Sequence, residues 1–292
     1  MWVRGGSSLC LGDSPRFGAR VVRLAALVLL SSSSPSLADP THLSSGREAW
    51  AGADISSNVW LVYSGITYAP WGGVHDPGWR FRAVGGYGEY SYSDRVPATD
   101  PAFARELSFH AQTYFADFLV GYQTRFGELT AKAFVGPSVI SHDIEPLDTE
   151  TIAIGDETGI KGVIELWLNI GASAWGSLDL SWSSAHNTRA ARARVGYRVW
   201  QNVSLGLEGG LNVDSQGECR IGMTEKSACK TAYQETVDPA GLLDYGRAGA
   251  FARYEWDEGE VSLSAGVLGD SFASDGDVEI APYTTLNWLT RF

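Results

Sequence analysis

The sequence predicts an all-β protein: a closed antiparallel transmembrane β-barrel of about twelve strands. Three observations predict it. Segments along the chain alternate apolar and polar residues. The connections between them alternate between short and long. An apolar leader with a basic head opens the chain, and no later run is apolar for the length a spanning helix needs.

The leader comes first in order. Arg16, Arg20 and Arg23 form a basic head, Val21 to Leu30 is a short apolar stretch, and Ser36-Leu37-Ala38 places small residues where a signal peptidase cuts. A spanning helix needs about twenty apolar residues. This stretch is shorter, and four serines (Ser31 to Ser34) end it. Residues 1–38 are therefore predicted to be a cleaved signal peptide and residues 39–292 the barrel domain. An exported chain without a helical anchor is periplasmic, secreted or an outer-membrane barrel.

The chain carries 22 basic and 34 acidic residues, a net charge of −12. Four arginines and one aspartate lie in the leader, so cleavage leaves the remainder more acidic still. This balance argues against nucleic acid as a partner and supplies no basic patch for anionic surfaces. Trp, Tyr and Gly are abundant and Met is scarce, which suits a barrel better than a helical enzyme. Cys10 leaves with the leader. Cys219 and Cys229 stand in one polar stretch, and in an oxidising compartment they are expected to form a disulfide that pins a long loop.

The strands are read from period-two alternation. In Val203 to Asp214, Val203, Leu205, Leu207, Leu211 and Val213 fall on one face, and Ser204, Glu208, Asn212 and Asp214 on the other. The pattern predicts strands at 48–57, 58–70, 78–92, 107–125, 128–142, 159–174, 178–186, 189–200, 203–214, 240–256, 260–270 and 277–292. Every second connection is short: 71–77, 126–127, 175–177, 201–202 and 257–259. The other set holds the long ones, 93–106, 143–158 and 215–239. Tight turns at one end and long loops at the other are the mark of an outer-membrane barrel, with both termini on the periplasmic side. The parity depends on dividing 48–70 at Ser57-Asn58. The final Leu286, Trp288 and Phe292 share a face and resemble the C-terminal recognition segment of such barrels, with Asn287 and Thr290 as departures.

Aromatic residues cluster near predicted strand ends: Trp60, Tyr68, Trp71, Trp79, Tyr90, Tyr92, Trp175, Trp200, Tyr254, Trp256 and Trp288. Such rings suit the lipid headgroup level. Alternation places Arg80, Arg82, Asp117, Lys132, Glu165, Asp179, Arg192, Arg194, Arg198, Glu208, Arg247, Arg253 and Glu255 inward. A charge facing lipid costs ~2–4 kcal/mol at the bilayer midplane. Two readings follow: opposite charges cross-pair and fill a narrow lumen, or they line a polar path for a solute or polymer.

No catalytic set, metal site or cofactor site is expected. His75, His110, His142 and His186 fall near strand ends or loops. His142-Asp143 and Ser184 with His186 are the nearest approach to a base-paired nucleophile. Gly85 to Gly88 lies within a strand, so it is no phosphate loop.

Tyr63 to Pro70 and Gly78 to Tyr92 (GWRFRAVGGYGEYSY) together resemble the BcsS family of bacterial cellulose biosynthesis proteins. Further pieces agree in order: Ala116-Asp117, Gly121-Tyr122, Gly136, His142, Pro146 to Asp148, Gly159 to Gly162, Glu165, Arg192 to Trp200, and Arg247 to Tyr254. The resemblance runs over roughly 49–292. It implies an outer-membrane barrel that serves a cellulose synthesis and secretion system and contacts lipid, with synthase or export components, or the glucan chain, as possible partners. It carries over no catalytic residue. Rim aromatics Trp71, Trp79, Tyr90 and Tyr92 are the candidates for stacking on a glucan. The alternatives are a porin-like channel for glucan or small solutes, and a lipid- or glycan-modifying enzyme.

Overall fold

A computed structural model describes residues 45–96, 105–146, 155–213, 246–270 and 279–292, all within one unit, His42–Phe292. The leader, Cys219 and Cys229 lie outside the described residues.

Twelve strands close into one antiparallel barrel: β1 (Arg47–Ser56), β2 (Val59–Tyr68), β3 (Gly78–Val96), β4 (Arg105–Phe126), β5 (Leu129–Glu145), β6 (Gly155–Ile170), β7 (Ala174–Ser183), β8 (Arg189–Trp200), β9 (Val203–Val213), β10 (Gly246–Trp256), β11 (Gly259–Asp270) and β12 (Glu279–Arg291). Each strand pairs with its sequence neighbours, and β1 closes on β12 from Glu48↔Arg291 to Ser56↔Tyr283. Arg47 and Phe292 exchange both backbone hydrogen bonds at that seam. Closure leaves no strand edge, so the ladder groups find partners without water. Among the described residues no helix is long and apolar enough to cross a membrane; crossing is done by strands.

The division at Ser57-Asn58 is a real turn. Some boundaries differ from expectation, among them the end of β7, which stops at Ser183 because the 3-10 turn Ala185–Asn187 follows where strand is expected to 186. The β6–β7 turn is Gly171-Ala172-Ser173, not 175–177, because Gly171 takes φ +64°, which suits glycine best. Trp175 is thereby a strand residue. Strands β3 to β5 run longer than expected, and β6 keeps its expected length but starts and ends four residues earlier. A barrel strand needs about 9–11 residues to cross the bilayer. β3 and β4, with 19 and 22 residues, therefore extend past the membrane at the end away from the termini. That end, the loop end, carries the connections after β1, β3, β5, β7, β9 and β11. The other, the terminal end, carries the start of β1, the end of β12 and the β2–β3, β4–β5, β6–β7, β8–β9 and β10–β11 connections.

Alternation sets the two faces. On β9, Leu205 and Leu207 face outward and Ser204 and Glu208 inward. Leu207 is 70% exposed and Ser204 fully buried. The outward band includes Ile66, Phe118, Val120, Val135, Ile164, Val195 and Leu263. At its terminal edge stand Tyr68, Trp79, Tyr122, Phe126, Tyr197, Trp200 and Tyr254, all exposed. This is an apolar belt with an aromatic girdle, the exterior of a transmembrane barrel.

Glycine makes room for the rings inside. Added side-chain carbons at Gly65, Gly86, Gly196 and Gly206 would collide with Trp50, Phe115, Trp175 and Phe251 respectively, each ring lying over a neighbouring strand. The high Gly and aromatic content thus has one cause: large rings need bare backbone beside them in a narrow barrel. At Gly136-Pro137 the β4–β5 ladder is interrupted. Pro137 lacks a donor, and Gly136 lies against the backbone of Phe118 and Leu119.

Two substitutions test these faces. Leu207→Arg is expected to cost ~2–4 kcal/mol, the price of a cation at the lipid midplane. Gly206→Leu is expected to cost ~1–3 kcal/mol by overpacking against Phe251. Urea unfolding of the protein refolded in lipid vesicles measures both.

Candidate functional site: the barrel interior

The inward residues meet in layers because antiparallel register sets them opposite one another. One register line runs Gln123↔Lys132↔Glu165↔Asp179↔Arg192↔Gly210↔Arg247 across β4 to β10. Alternation aims all of these side chains into a lumen that small barrels fill with side chains.

Four clusters follow. In the first, Arg82 grips Glu165 with both terminal guanidinium nitrogens (Nη2 to Oε2, 3.1 Å) and donates Nε to Thr67 Oγ1 at 3.2 Å. Its guanidinium lies 3.8 Å from the centre of the Phe134 ring, and Lys132 adds a contact to Glu165 at 3.7 Å. In the second, fully buried Asp117 accepts from Lys161 and Ser138, both at 2.6 Å. In the third, Glu208, whose side chain is completely buried, takes Arg192 at 2.5 Å, Tyr283 Oη at 2.8 Å and Ser264 at 3.1 Å. Beside it Arg247 meets Asp54 at 3.5 Å, and Thr285 also donates to Asp54. In the fourth, Arg253 pairs with Glu260 and, at 2.9 Å, with Glu255. Its guanidinium sits 4.8 and 5.1 Å from the rings of Trp167 and Trp175, which stack at 4.3 Å.

Buried charges persist when paired and hydrogen-bonded, because Coulombic attraction offsets lost hydration only at good geometry. Here each buried carboxylate in the clusters has two or more donors. Asp179 is looser, meeting Arg194 at 3.8 Å while Arg194 donates to Ser177. Arg198 and Glu255 sit at the terminal rim rather than deep inside; Arg198 reaches the Ala172 carbonyl of the turn. Arg80 faces inward, only 1% exposed, and its guanidinium is spent on backbone carbonyls of the β2–β3 connection.

Toward the loop end the interior becomes apolar. Tyr90, Phe109, Ala111 and Ile144 pack together with Val59 against them. Tyr90 Oη lies 3.1 Å from His142 Nδ1, and His142 meets His186 edge to face at 5.1 Å. His186 Nδ1 is 3.1 Å from Glu157. His186 has φ +49° in a 3-10 turn, Ala185–Asn187, that bends inward over Gly159. Among the described residues no group of three or more His, Cys, Asp or Glu is placed to hold a metal ion. Ser184 Oγ accepts from the backbone amide of Ile160 on β6 at 2.9 Å.

The aromatic expectations need correction. Trp175 is fully buried in the lumen, not at the headgroup level, because the turn falls earlier than expected and puts it in β7. Tyr90 also points inward, in the apolar cluster. Trp71 and Trp79 stand exposed at the terminal end, whereas Tyr90 lies eleven residues along β3 at the other. Tyr92 follows it on the same strand, and its side chain is not described. Trp71 and Trp79 thus lie at one end of the barrel and Tyr90 toward the other. Lys161, Asp54, Glu260, Trp50, Tyr63 and Trp167 were missed. Their parity with Glu165 on β6, Glu48 on β1 and their strand partners was the available signal.

Breaking one partner of a buried pair is expected to be costly, and removing both less so. Glu165→Met should destabilise by ~3–5 kcal/mol, and Arg82→Met/Glu165→Met by clearly less. Equal losses in the two variants, measured by urea unfolding in lipid vesicles, contradict the pairing.

In sequence, no curated protein matches the chain. In structure, the barrel resembles the KdgM porin (7% identity, TM-score 0.41, covering 84% of this chain and 99% of that one). It also resembles the COG4313 outer membrane channel from Pseudomonas putida F1 (12% identity, TM-score 0.40, 87% and 100%). A third likeness is to the transport unit of the autotransporter AIDA-I from Escherichia coli (10% identity, TM-score 0.44, 92% and 97%). At these identities the likenesses concern architecture alone. The model of the family described as cellulose biosynthesis protein BcsS matches residues 49–238, from β1 through β9, with β10 to β12 beyond the matched span, and the chain belongs to this family.

Proposed function

We propose that this protein is an outer-membrane accessory component of cellulose biosynthesis that supports glucan export at the cell surface in a structural role, without catalysing a reaction. The observation that carries the reading is the pairing of family membership with a lumen narrowed by cross-paired charges and stacked rings. A wide porin keeps an aqueous bore. Here Arg82–Glu165 joins β3 to β6, Lys161–Asp117 joins β6 to β4, and Arg192–Glu208 joins the neighbours β8 and β9, so paired charges narrow the bore from its wall.

In this reading residues 1–38 are the export signal and the terminal end faces the periplasm. The long β9–β10 connection, with a Cys219–Cys229 disulfide, faces outward. Lipid contacts the apolar belt. Components of the cellulose synthesis and export system, or the emerging glucan itself, are the partners, and they meet the rims and loops rather than the narrowed lumen.

Deletion of the gene in a cellulose-producing host tests the reading, with surface cellulose measured by dye binding and by hydrolysis to glucose. A severalfold fall in surface cellulose, restored by the wild-type gene, is expected. Unchanged amount and placement of cellulose would refute it.

A further inference from the structure

We propose that the β2–β3 connection is a strap that closes the terminal mouth of the barrel, with Arg80 as its latch. The connection spans residues 69–77 between two strands that need only a tight turn, and it folds inward instead of outward. Ala69, Gly73 and Val74 are buried. Two interior side chains, from β3 and β4, reach up to hold it. Arg80 donates to the carbonyls of Gly73 (3.0 Å) and Asp76, and to that of Trp79 (2.8 Å). Gln123 donates to the Asp76 carbonyl at 3.3 Å. Since Arg80 and Gln123 point into the barrel, the carbonyls they hold lie over its mouth.

The segment's other bonds fix its ends and its fold. The Ala69 and Val74 amides donate to the carbonyls of Gly46 and Ser45, which precede β1, at 2.7 and 2.8 Å. The Asp76 carboxylate accepts from the Gly73 amide at 2.7 Å, which makes Gly73 to Asp76 one small closed turn. Gly72 (φ +90°) and Gly78 (φ +151°) flank that turn. Such angles suit glycine, and glycines at both ends give the segment two points about which the backbone can swing.

The chemistry of the latch suits reversible closure. Arg80 holds neutral carbonyls through hydrogen bonds strengthened by its charge. Such bonds are exchangeable for water once the segment lifts. The charge pairs deeper in the lumen narrow the bore, and the strap seals what is left at the terminal end.

The experiment is single-channel recording of the purified protein in planar lipid bilayers. Three variants are compared with wild type: Arg80→Ala/Gln123→Ala, a chain in which Gly-Gly replaces Gly73 to Asp76, and Ser45→Cys/Val74→Cys combined with Arg80→Ala/Gln123→Ala. Folding of each is checked by its heat-dependent migration in SDS gels. The unlatched and shortened chains are expected to show a severalfold higher open probability or step size than wild type. Oxidising the cysteine pair should return the unlatched chain to wild-type behaviour, and reduction should release it. Should the unlatched variant fail to fold, the shortened chain, which keeps Arg80, decides alone. A folded shortened or unlatched barrel that conducts no more than wild type would overturn the proposal, as would an unlatched chain indifferent to the crosslink.

Discussion

Every other feature of this barrel depends on the pairing of β1 with β12. A sheet that crosses hydrocarbon tolerates no open edge, since each unpaired backbone group there costs several kcal/mol. Closure at the Glu48↔Arg291 to Ser56↔Tyr283 seam removes the edge and fixes the register of all twelve strands. Once register is fixed, alternation decides which side chains meet lipid and which meet each other. The seam is reinforced from inside by Asp54, which receives Thr285 of β12 and Arg247 of β10, and by Arg291 to Glu48 at 3.6 Å.

Closure also creates the problem that the interior solves. A twelve-strand barrel encloses more space than aliphatic side chains fill, yet charges placed there lose water. The protein combines rings laid over glycine with carboxylates that each take several donors. Glu208 shows the logic: Arg192 neutralises it, while Tyr283 and Ser264 satisfy its remaining lone pairs. Arg253 is offset both by Glu260 and by the faces of Trp167 and Trp175. An interior held this way gives rigidity and a narrow bore together.

The strands were legible in the sequence because period-two alternation is local. Even the turn at Ser57-Asn58 left its mark. The β6–β7 turn was misplaced because both Gly171 and Gly176 stand near the break, and only the three-dimensional turn shows which takes positive φ. Inward charges such as Glu165 and Arg192 were readable from parity. Their partners were not, since Arg82–Glu165 joins residues far apart in sequence, on strands that are not neighbours in the sheet. Aromatics were the least legible: Trp79 and Trp175 both lie near strand ends, and one faces lipid while the other is the largest fully buried side chain. The β2–β3 strap was hidden as well, because a glycine-rich turn folding inward reads the same as one folding outward.

The central claim is a membrane-spanning barrel with a packed interior, and cysteine accessibility tests it most directly. With the native cysteines replaced by serine, single cysteines go in at Leu205, Leu207 and Leu263 outside, and at Ser204, Ser264 and Thr285 inside. The protein is reconstituted in lipid vesicles and exposed to a lipid-soluble and a water-soluble thiol reagent. The account predicts labelling of the leucine positions from the lipid phase alone and slow labelling of the serine and threonine positions by either reagent. Fast labelling of Ser204→Cys, Ser264→Cys and Thr285→Cys by the water-soluble reagent would show an open aqueous lumen and contradict it.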